Sequence, residues 1–279
     1  MDGKALAERI RAEVAAEVAQ LGNLGLATLL VGDDLASAIY IRLKHAAADE
    51  VGIASTDLRL PVETSEQELL DHVAELNADE AVDGILVQLP LPAHIDEARV
   101  VRAIDPIKDV DGSHPLNAGQ LYLGRPTLVP ATPIGILTLL DEYEIPLEGA
   151  KAVVVGRSNI VGKPVAQLLL QRNATVTVCH TRTADLTRET SSADVLVVAA
   201  GRTALVTAGM VKAGAAVIDV GINRTDAGLV GDVDPGAMEI AAFMTPVPGG
   251  VGPMTIACLL QNAVRAARFR RGALAFPAA

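Results

Sequence analysis

Apolar runs alternate with amphipathic stretches along almost the whole chain, and this pattern predicts an α/β fold. In the first third of the chain, short apolar runs predict strands at Leu26–Val31, Thr56–Leu60 and Gly84–Leu89. The intervening stretches Ser37–Val51 and Ser65–Asn77 have the period of amphipathic helices. Strands that alternate with helices in this way are typical of a parallel sheet.

The same alternation returns after residue 150, where five apolar runs predict strands at Val153–Val155, Thr175–Cys179, Val195–Ala199, Ala216–Val220 and Phe243–Thr245. Between the two sets, Pro106–Pro133 is rich in Gly, Pro, Asn and Asp, and after the last strand Met254–Phe269 predicts a helix. We therefore expect an N-terminal domain of residues 1–120, joined by a C-terminal helix at about 254–279. Residues 121–253 would form a dinucleotide-binding domain, with a ligand cleft at the junction.

The stretch Ala152–Gln167 predicts a buried strand, a tight turn and a helix in succession. Backbone N–H groups at the start of such a helix are well placed to bind a phosphate. The spacing of Gly156, Ser158 and Gly162 departs from the G-x-G-x-x-G pattern of dinucleotide-binding turns. An ordinary α/β turn that binds no nucleotide is the alternative interpretation.

The end of the next predicted strand bears on which cofactor would bind. In a dinucleotide fold, an acidic residue there binds the ribose 2′-hydroxyl, whereas a basic residue accommodates a 2′-phosphate. Thr175–Cys179 is followed by His180, Thr181 and Arg182, Arg157 lies in the first turn, and no carboxylate occurs before Asp185. The two guanidinium groups favour NADP over NAD, unless both are ordinary solvated surface charges.

A helix through residues 37–44 would place Tyr40 and Lys44 one turn apart on the same face. A phenol and an ammonium at this distance can act as an acid/base pair, because desolvation lets a lysine exchange protons near neutral pH. The alternative is a half-exposed tyrosine and a solvated lysine on an ordinary amphipathic helix.

Other polar positions lie where ligands commonly bind. Gln88 is near the carboxyl end of a predicted strand. Its side chain either contacts a ligand there or is a core amide with its hydrogen bonds satisfied. The turn that contains Asp109 and Asp111 is either a solvated loop or a fragment of a cation site, and we predict no metal because His/Cys ligand spacing is lacking. The loop at 246–255 would let backbone approach a flat ring, or it simply connects two elements.

Composition and charge limit the classes of partner. The chain has 279 residues, of which half are hydrophobic, and its formal net charge of −11 disfavours nucleic acid and anionic membranes as partners. Cys179 and Cys258 lie in apolar surroundings and predict buried thiols in a reducing compartment. The N-terminal segment is charged and no apolar run is long enough to span a bilayer, so we expect a cytoplasmic protein.

Six segments in a fixed order carry a resemblance to a known family: VGDDLASAIYIRLK, DGILVQLPLP, PIKDVDGSHPLNAG, VVVGRSNIVGKP, IDVGIN and TPVPGGVGPMT. From Val31 to about Val264, the chain resembles the bifunctional 5,10-methylenetetrahydrofolate dehydrogenase/5,10-methenyltetrahydrofolate cyclohydrolase family. One departure concerns Ala131 and Ile134, where the family commonly has Cys and in some members Lys. This difference affects only local packing and any contact from those two side chains.

The resemblance implies two α/β domains with a cleft between them, an N-terminal folate-binding catalytic domain and a Rossmann-type NADP-binding domain. The implied reaction is NADP-dependent oxidation of 5,10-methylenetetrahydrofolate to 5,10-methenyltetrahydrofolate, followed by hydrolysis to 10-formyltetrahydrofolate in one shared site. This chemistry belongs to one-carbon folate metabolism, which serves purine biosynthesis. The resemblance also implies a homodimer.

The resemblance assigns roles to four residues of the N-terminal domain. Lys44 would be the acid/base residue of the cyclohydrolase step, and Tyr40 would stack near the folate and orient it. Gln88 would hydrogen-bond Lys44 and tune its proton affinity, and Asp111 would accept hydrogen bonds from the pterin. Carboxylates form charge-assisted bonds of this kind.

The resemblance also implies contacts from the second domain and the end of the chain. The implied cofactor-binding residues are Gly156, Arg157, Ser158, Gly162, Thr181, Arg182 and Ile222. Further substrate contacts are implied for Gly250, Gly252 and Pro253, with Gly249 in the same backbone wall. The alternatives are a protein with one of the two activities, an unrelated NADP-dependent dehydrogenase, or a silent nucleotide-binding scaffold.

Overall fold

A computed structural model of the protein describes residues 1–226 and 228–277. The chain folds into two compact units, each with its own parallel sheet. The three-stranded unit comprises Arg9–Pro130 and Ile256–Ala279, and the five-stranded unit comprises Met1–Glu8 and Ala131–Thr255.

The first part of the chain forms α1 (Gly3–Leu21), β1 (Gly25–Val31), α2 (Leu35–Glu50), β2 (Ala54–Leu60), α3 (Glu66–Ala78), β3 (Gly84–Val87), α4 (Glu97–Ala103) and α5 (Pro115–Tyr122). The strands pair in parallel in the order β2-β1-β3, with Leu29 of the central strand opposite Leu58 and Val87. Apolar side chains of β1 and β3 pack with those of α3 and α4 in one buried cluster. Burial of these side chains is the main stabilising contribution to the sheet.

Side-chain caps fix where the helices of this unit begin. The carboxylate of Asp34 accepts a hydrogen bond from the Ser37 backbone N–H at 2.7 Å, and this cap sets the start of α2. Ser65 caps α3 in the same way, at 3.2 Å from the Glu68 N–H. The start of α2 determines where the next turns of that helix place their side chains.

The second part of the chain forms α6 (Ala131–Glu142), β4 (Lys151–Val155), α7 (Gly162–Gln171), β5 (Thr175–Cys179), α8 (Leu186–Thr190), β6 (Val195–Val198), β7 (Ala216–Asp219), β8 (Asn223–Thr225), β9 (Gly228–Val230), β10 (Phe243–Met244) and α9 (Val251–Arg270). Five strands pair in parallel in the order β10-β7-β6-β4-β5, and β8 and β9 form an antiparallel hairpin. The central strands β4, β6 and β7 are almost fully buried, as expected for a parallel sheet covered on both faces.

Besides small shifts in the ends of several elements, the structure differs from the sequence prediction at Gln88 and in the segment 106–133. The strand predicted at Gly84–Leu89 ends at Val87, so Gln88 lies just after it, although its N–H still bonds Leu29 O at 2.9 Å. The loop-like segment 106–133 contains α5, because Pro115 occupies the first helical turn and the His114 side chain caps it.

Cys179 and Cys258 are both buried free thiols, which confirms the prediction that they are buried. Among the described residues, no helix has the length and apolar character needed to cross a membrane. Across 1–226 and 228–277, no group of three His, Cys, Asp or Glu residues is arranged to hold a metal ion.

Candidate active site

The three-stranded unit buries the amine predicted to act in acid/base chemistry. Lys44 lies on α2 one turn after Tyr40, and its side chain is only 8% exposed. Its Nζ donates a hydrogen bond to Gln88 Oε1 at 3.1 Å. The amide of Gln88 is oriented by its own bond, from Nε2 to Leu89 O at 2.9 Å. Lys44 is therefore not the solvated lysine of the alternative interpretation.

Burial and charge set the protonation of this cluster. Burial lowers the pKa of Lys44, and attraction to the Asp111 carboxylate partly opposes that change. Burial raises the pKa of Asp111 to about 6, against the attraction of Lys44 and with repulsion from Asp109. Burial also raises the pKa of the half-buried Tyr40, so its phenol stays protonated. The buried amine therefore loses its proton more readily, and the buried carboxyl keeps its proton more readily, than either group does in water.

The turn that carries Asp111 is held from inside by Asp109. Asp109 is fully buried and accepts hydrogen bonds from His114 N at 2.7 Å and Asn117 Nδ2 at 2.9 Å. Asn117 Oδ1 in turn accepts from the Thr127 hydroxyl at 2.7 Å. The interpretations of this turn as a solvated loop or a cation-site fragment are wrong for Asp109, because its carboxylate is used to close the turn.

Lys108 attaches the same turn to the end of α3. Its Nζ, which is buried, donates to the backbone carbonyls of Leu76, Asn77 and Asp79 at 2.9, 2.8 and 2.8 Å. These carbonyls lie at the C-terminus of α3, where the helix leaves acceptors unpaired. Neither Lys108 nor Asn117 was predicted from the sequence, because both resemble ordinary surface residues of a loop.

In the five-stranded unit, the turn after β4 is as tight as its glycines predict. Gly156 has φ +131°, and a Cβ there would overlap Ala199 O. A Cβ on Gly162 would overlap Gly156 O, so the start of α7 lies directly against the turn. The Ser158 hydroxyl oxygen accepts from the Val161 and Gly162 N–H groups at 3.2 and 3.3 Å. Both glycines are therefore required by close backbone packing within the turn itself.

The structure brings the predicted phosphate-binding residues to one edge of the sheet. Gly156 N donates to Cys179 O at 2.9 Å, so the turn after β4 and the end of β5 are neighbours. Arg157, Thr181 and Arg182 are all exposed there. Within the part of the chain that the structure describes, neither guanidinium forms an ion pair. Free cations at the carboxyl edge of a parallel sheet suit an anionic ligand.

The glycine-rich loop before α9 forms a compact turn. Gly250 N bonds back to Pro246 O at 2.9 Å, and Gly249 has φ +106°. Ile222, which follows β7 and is 45% exposed, lies beside this loop. A Cβ on Gly252 would be 3.9 Å from its Cδ1. Pro253 is half-buried in the first turn of α9.

The two positions that depart from the family pattern lie in the first turn of α6. Ala131 is buried and Ile134 is half-buried. Gly135, next in sequence, packs so closely that a Cβ there would come within 2.8 Å of Met254 Cβ. Their surroundings are those of ordinary helix packing.

These features define a class of protein: a two-unit α/β enzyme with a nucleotide-type turn in one unit and a buried lysine cluster in the other. Two family descriptions match the chain. Residues 1–111 match the tetrahydrofolate dehydrogenase/cyclohydrolase catalytic domain, and residues 130–271 match the NAD(P)-binding domain of the same family. The chain belongs to the tetrahydrofolate dehydrogenase/cyclohydrolase family.

Individual relatives are similar over nearly their full length. The bifunctional protein FolD of Halothermothrix orenii is 57% identical over 276 residues, covering 96% of this chain and 98% of that protein. The FolD of Paraburkholderia phytofirmans is 56% identical over 273 residues, covering 96% of each.

Solved structures agree with the sequence relatives. The bifunctional FolD of Campylobacter jejuni superposes with a TM-score of 0.94 at 48% identity, covering 96% of this chain and 98% of that one. The Trypanosoma brucei enzyme, complexed with NADP cofactor and an inhibitor, superposes with a TM-score of 0.93 at 40% identity, covering 99% and 98%. The predicted family and the two-domain α/β fold are confirmed, and the unrelated-dehydrogenase alternative is excluded.

Proposed function

We propose that this chain oxidises 5,10-methylenetetrahydrofolate with NADP⁺ and hydrolyses the 5,10-methenyltetrahydrofolate so formed to 10-formyltetrahydrofolate. The observation that carries the proposal is the buried Lys44 amine bonded to Gln88, in a member of this folate family. Because burial lowers the pKa of Lys44, the amine is ready to take and return a proton.

The oxidation step needs alignment more than it needs acid or base. The methylene carbon lies between two folate nitrogens, whose lone pairs stabilise the cation that remains once hydride leaves. NADP⁺, when bound, supplies the hydride acceptor. The turn at Gly156 and Gly162, whose path is fixed by close backbone packing, would hold the acceptor's phosphates.

The residues around the turn at Gly156 and Gly162 suit NADP. Arg157 and Arg182 provide guanidinium groups for the 2′-phosphate, and Thr181 provides a hydroxyl. The Ser158 oxygen already accepts two backbone bonds, so its hydroxyl hydrogen remains to donate to a phosphate oxygen. Ile222 offers an exposed apolar contact after β7.

The hydrolysis step needs one group that accepts and then donates a proton. Water attacks the methenyl carbon, and the neutral Lys44 amine accepts the proton that this water loses. The resulting ammonium donates this proton to the ring nitrogen as the bond between that nitrogen and the carbon breaks, and the hydroxyl proton left on the former water oxygen passes to solvent as the formyl C=O forms. Gln88 orients the amine through the hydrogen bond that its Oε1 accepts. Asp111 accepts hydrogen bonds from the pterin, and Tyr40 packs near the pterin.

The division of roles along the chain follows the same proposal. Residues 1–120 with the helix at about 254–279 would carry the folate chemistry, and residues 121–253 would carry the NADP site. The separate family matches over 1–111 and 130–271 support two domains, although the second match includes the C-terminal helix. That helix groups with the three-stranded unit from Ile256 onward, whereas Met1–Glu8 groups with the five-stranded unit and the units divide at Pro130 and Ala131. Backbone of Gly250, Gly252 and Pro253 would form a wall of the substrate site. A homodimer and a cytoplasmic location stay predictions.

An absorbance assay tests the proposed function. Purified protein supplied with methylenetetrahydrofolate and NADP⁺ is expected to form NADPH, and the methenyl product supplied alone is expected to decay faster than without enzyme. NAD⁺ in place of NADP⁺ is the matched comparison for cofactor choice. Absence of NADPH formation, or decay of the methenyl compound at the uncatalysed rate, would contradict the proposal.

The raised pKa of Asp111 predicts how folate binding depends on pH. Because that pKa is about 6, the carboxylate that accepts the pterin hydrogen bonds is present at pH 7 and is lost as the pH falls below 6. The KM for methylenetetrahydrofolate should therefore rise about tenfold between pH 7 and pH 5. Replacing Asp111 by Asn should raise the KM at pH 7 and abolish this dependence. A pH profile that is the same in the variant would show that another group titrates.

A further inference from the structure

The loop after β6 is held by a single buried carboxylate. The backbone N–H groups of Ala200, Gly201 and Arg202 all donate to the side chain of Asp232, at 2.6, 2.7 and 2.8 Å. Asn223 Nδ2 is a fourth donor at 2.8 Å, and Asp232 is fully buried. One residue therefore fixes the path of three consecutive peptides.

The way the four donors divide makes a carboxylate necessary at this position. Oδ2 of Asp232 accepts from Ala200 and Gly201, whereas Oδ1 accepts from Arg202 and Asn223. An ionised carboxylate is purely an acceptor, but a side-chain amide has only one accepting oxygen. An amide at residue 232 would leave two donors without an acceptor in either orientation.

A second buried carboxylate supports the first. Asp219, the last residue of β7, accepts from the N–H groups of Gly221, Asp232 and Val233 at 3.0, 2.9 and 3.0 Å. A Cβ on Gly221 would overlap the Asp232 side chain, so the loop after β7 lies directly on it. The loops that follow β6 and β7 are thus joined through these two aspartates.

Both loops border the proposed cofactor site. The strands β4, β6 and β7 are parallel neighbours, so their carboxyl ends share the edge where ligands bind in such sheets. Ala199, at the start of the loop after β6, lies against Gly156. A Cβ on Gly156 would overlap the carbonyl oxygen of Ala199. Asn223, which donates to Asp232, directly follows the exposed Ile222.

We propose that Asp232 is a positioning residue for NADP: it holds the loop 200–202 and the segment bearing Ile222 in the shape that the cofactor binds. Asp232 itself is buried beneath these loops and acts through them. A loop that is ordered before binding loses less conformational entropy when the ligand arrives, so affinity depends on the group that orders it. The inference rests on the proposed function of the Gly156 turn as the NADP site.

The test compares two Asp→Asn variants in the same unit. D232N is expected to raise both the KM and the Kd for NADP⁺ about tenfold or more, because two loop donors lose their acceptor. Cyclohydrolase turnover, measured on the methenyl compound without nucleotide, should stay within about twofold, since Lys44 and Gln88 lie in the three-stranded unit. D194N is the control: Asp194 accepts from Lys151 N at 2.8 Å at the opposite end of the same sheet, and its NADP⁺ Kd should not change.

A milder variant covers the case in which D232N does not fold. N223A removes one donor and leaves the carboxylate bonded to the loop, so we expect a rise in NADP⁺ Kd of about two- to fivefold with unchanged cyclohydrolase turnover. An NADP⁺ Kd like the parent's in D232N, or a parallel loss of both activities in N223A, would overturn the inference. Calorimetric measurement of NADP⁺ binding to the parent protein separates the two proposals. NADP⁺ binding without folate turnover would refute the proposed function, and the NADP⁺ Kd of D232N would still decide the role of Asp232.

Discussion

Lys44→Met is expected to lower cyclohydrolase turnover by about 10²–10⁴-fold, the usual contribution of a positioned acid/base group. Methionine is similar in length and apolar, so it suits a side chain that is only 8% exposed, but it can neither accept nor donate a proton. Gln88 Oε1 loses its partner and keeps the rest of its environment. The Kd for NADP⁺ should be unchanged, because this residue lies in the three-stranded unit.

The rate of decay of the methenyl compound measures this effect directly. Lys212→Met provides the control, since Lys212 is a half-exposed lysine of the five-stranded unit that pairs with Asp194. That variant should hydrolyse the methenyl compound at the parental rate. If Lys44→Met did the same, the acid/base assignment would be wrong.

Arg157→Ala is expected to raise the KM for NADP⁺ by about 10- to 100-fold and the KM for NAD⁺ by no more than about twofold. The difference arises because only NADP⁺ carries the 2′-phosphate, and a hydrogen bond to a charged group contributes about 1.5–3 kcal/mol. Arg157 is exposed at the turn after β4, beside the end of β5.

The ratio of the two KM values, measured in the dehydrogenase assay, is the readout. Arg172→Ala is the matched control, because Arg172 follows the far end of α7 and its guanidinium pairs with Asp141 at 2.9 and 2.6 Å. Its loss should leave both KM values unchanged, as expected for an exposed ion pair. Equal losses of NADP⁺ and NAD⁺ affinity in Arg157→Ala would refute the role of a phosphate clamp.

The strands and the nucleotide-type turn were predictable because their signals are local. A run such as Val153–Val155 has β-branched residues that suit a buried strand, and Gly156 marks where that strand must stop. The bond between Lys44 and Gln88 joins residues that are 44 positions apart in the sequence. Only the resemblance to a family predicted that pair.

The buried polar networks were not predictable for the same reason. Asp232 lies 30 to 32 positions from the loop it organises, and Asn223 lies between them in sequence. Asp219 ends β7, and Asp232 follows β9 of the hairpin. The direction in which its carboxylate points is a property of the assembled sheet. Asp109 is a similar case, because in sequence it looks like one of two loop carboxylates.

The three-stranded unit contains two buried lysines that differ in how many of their N–H bonds are committed. Lys108 gives one bond to each of three carbonyls, so its ammonium has no donor left for a visiting molecule. For the Lys44 side chain, among the described residues, Gln88 is the sole hydrogen-bond partner, so two of the three hydrogen-bonding positions on Nζ have no protein partner. Lys108 therefore has a structural role, whereas Lys44 can still bond a substrate or a water molecule and exchange a proton with it.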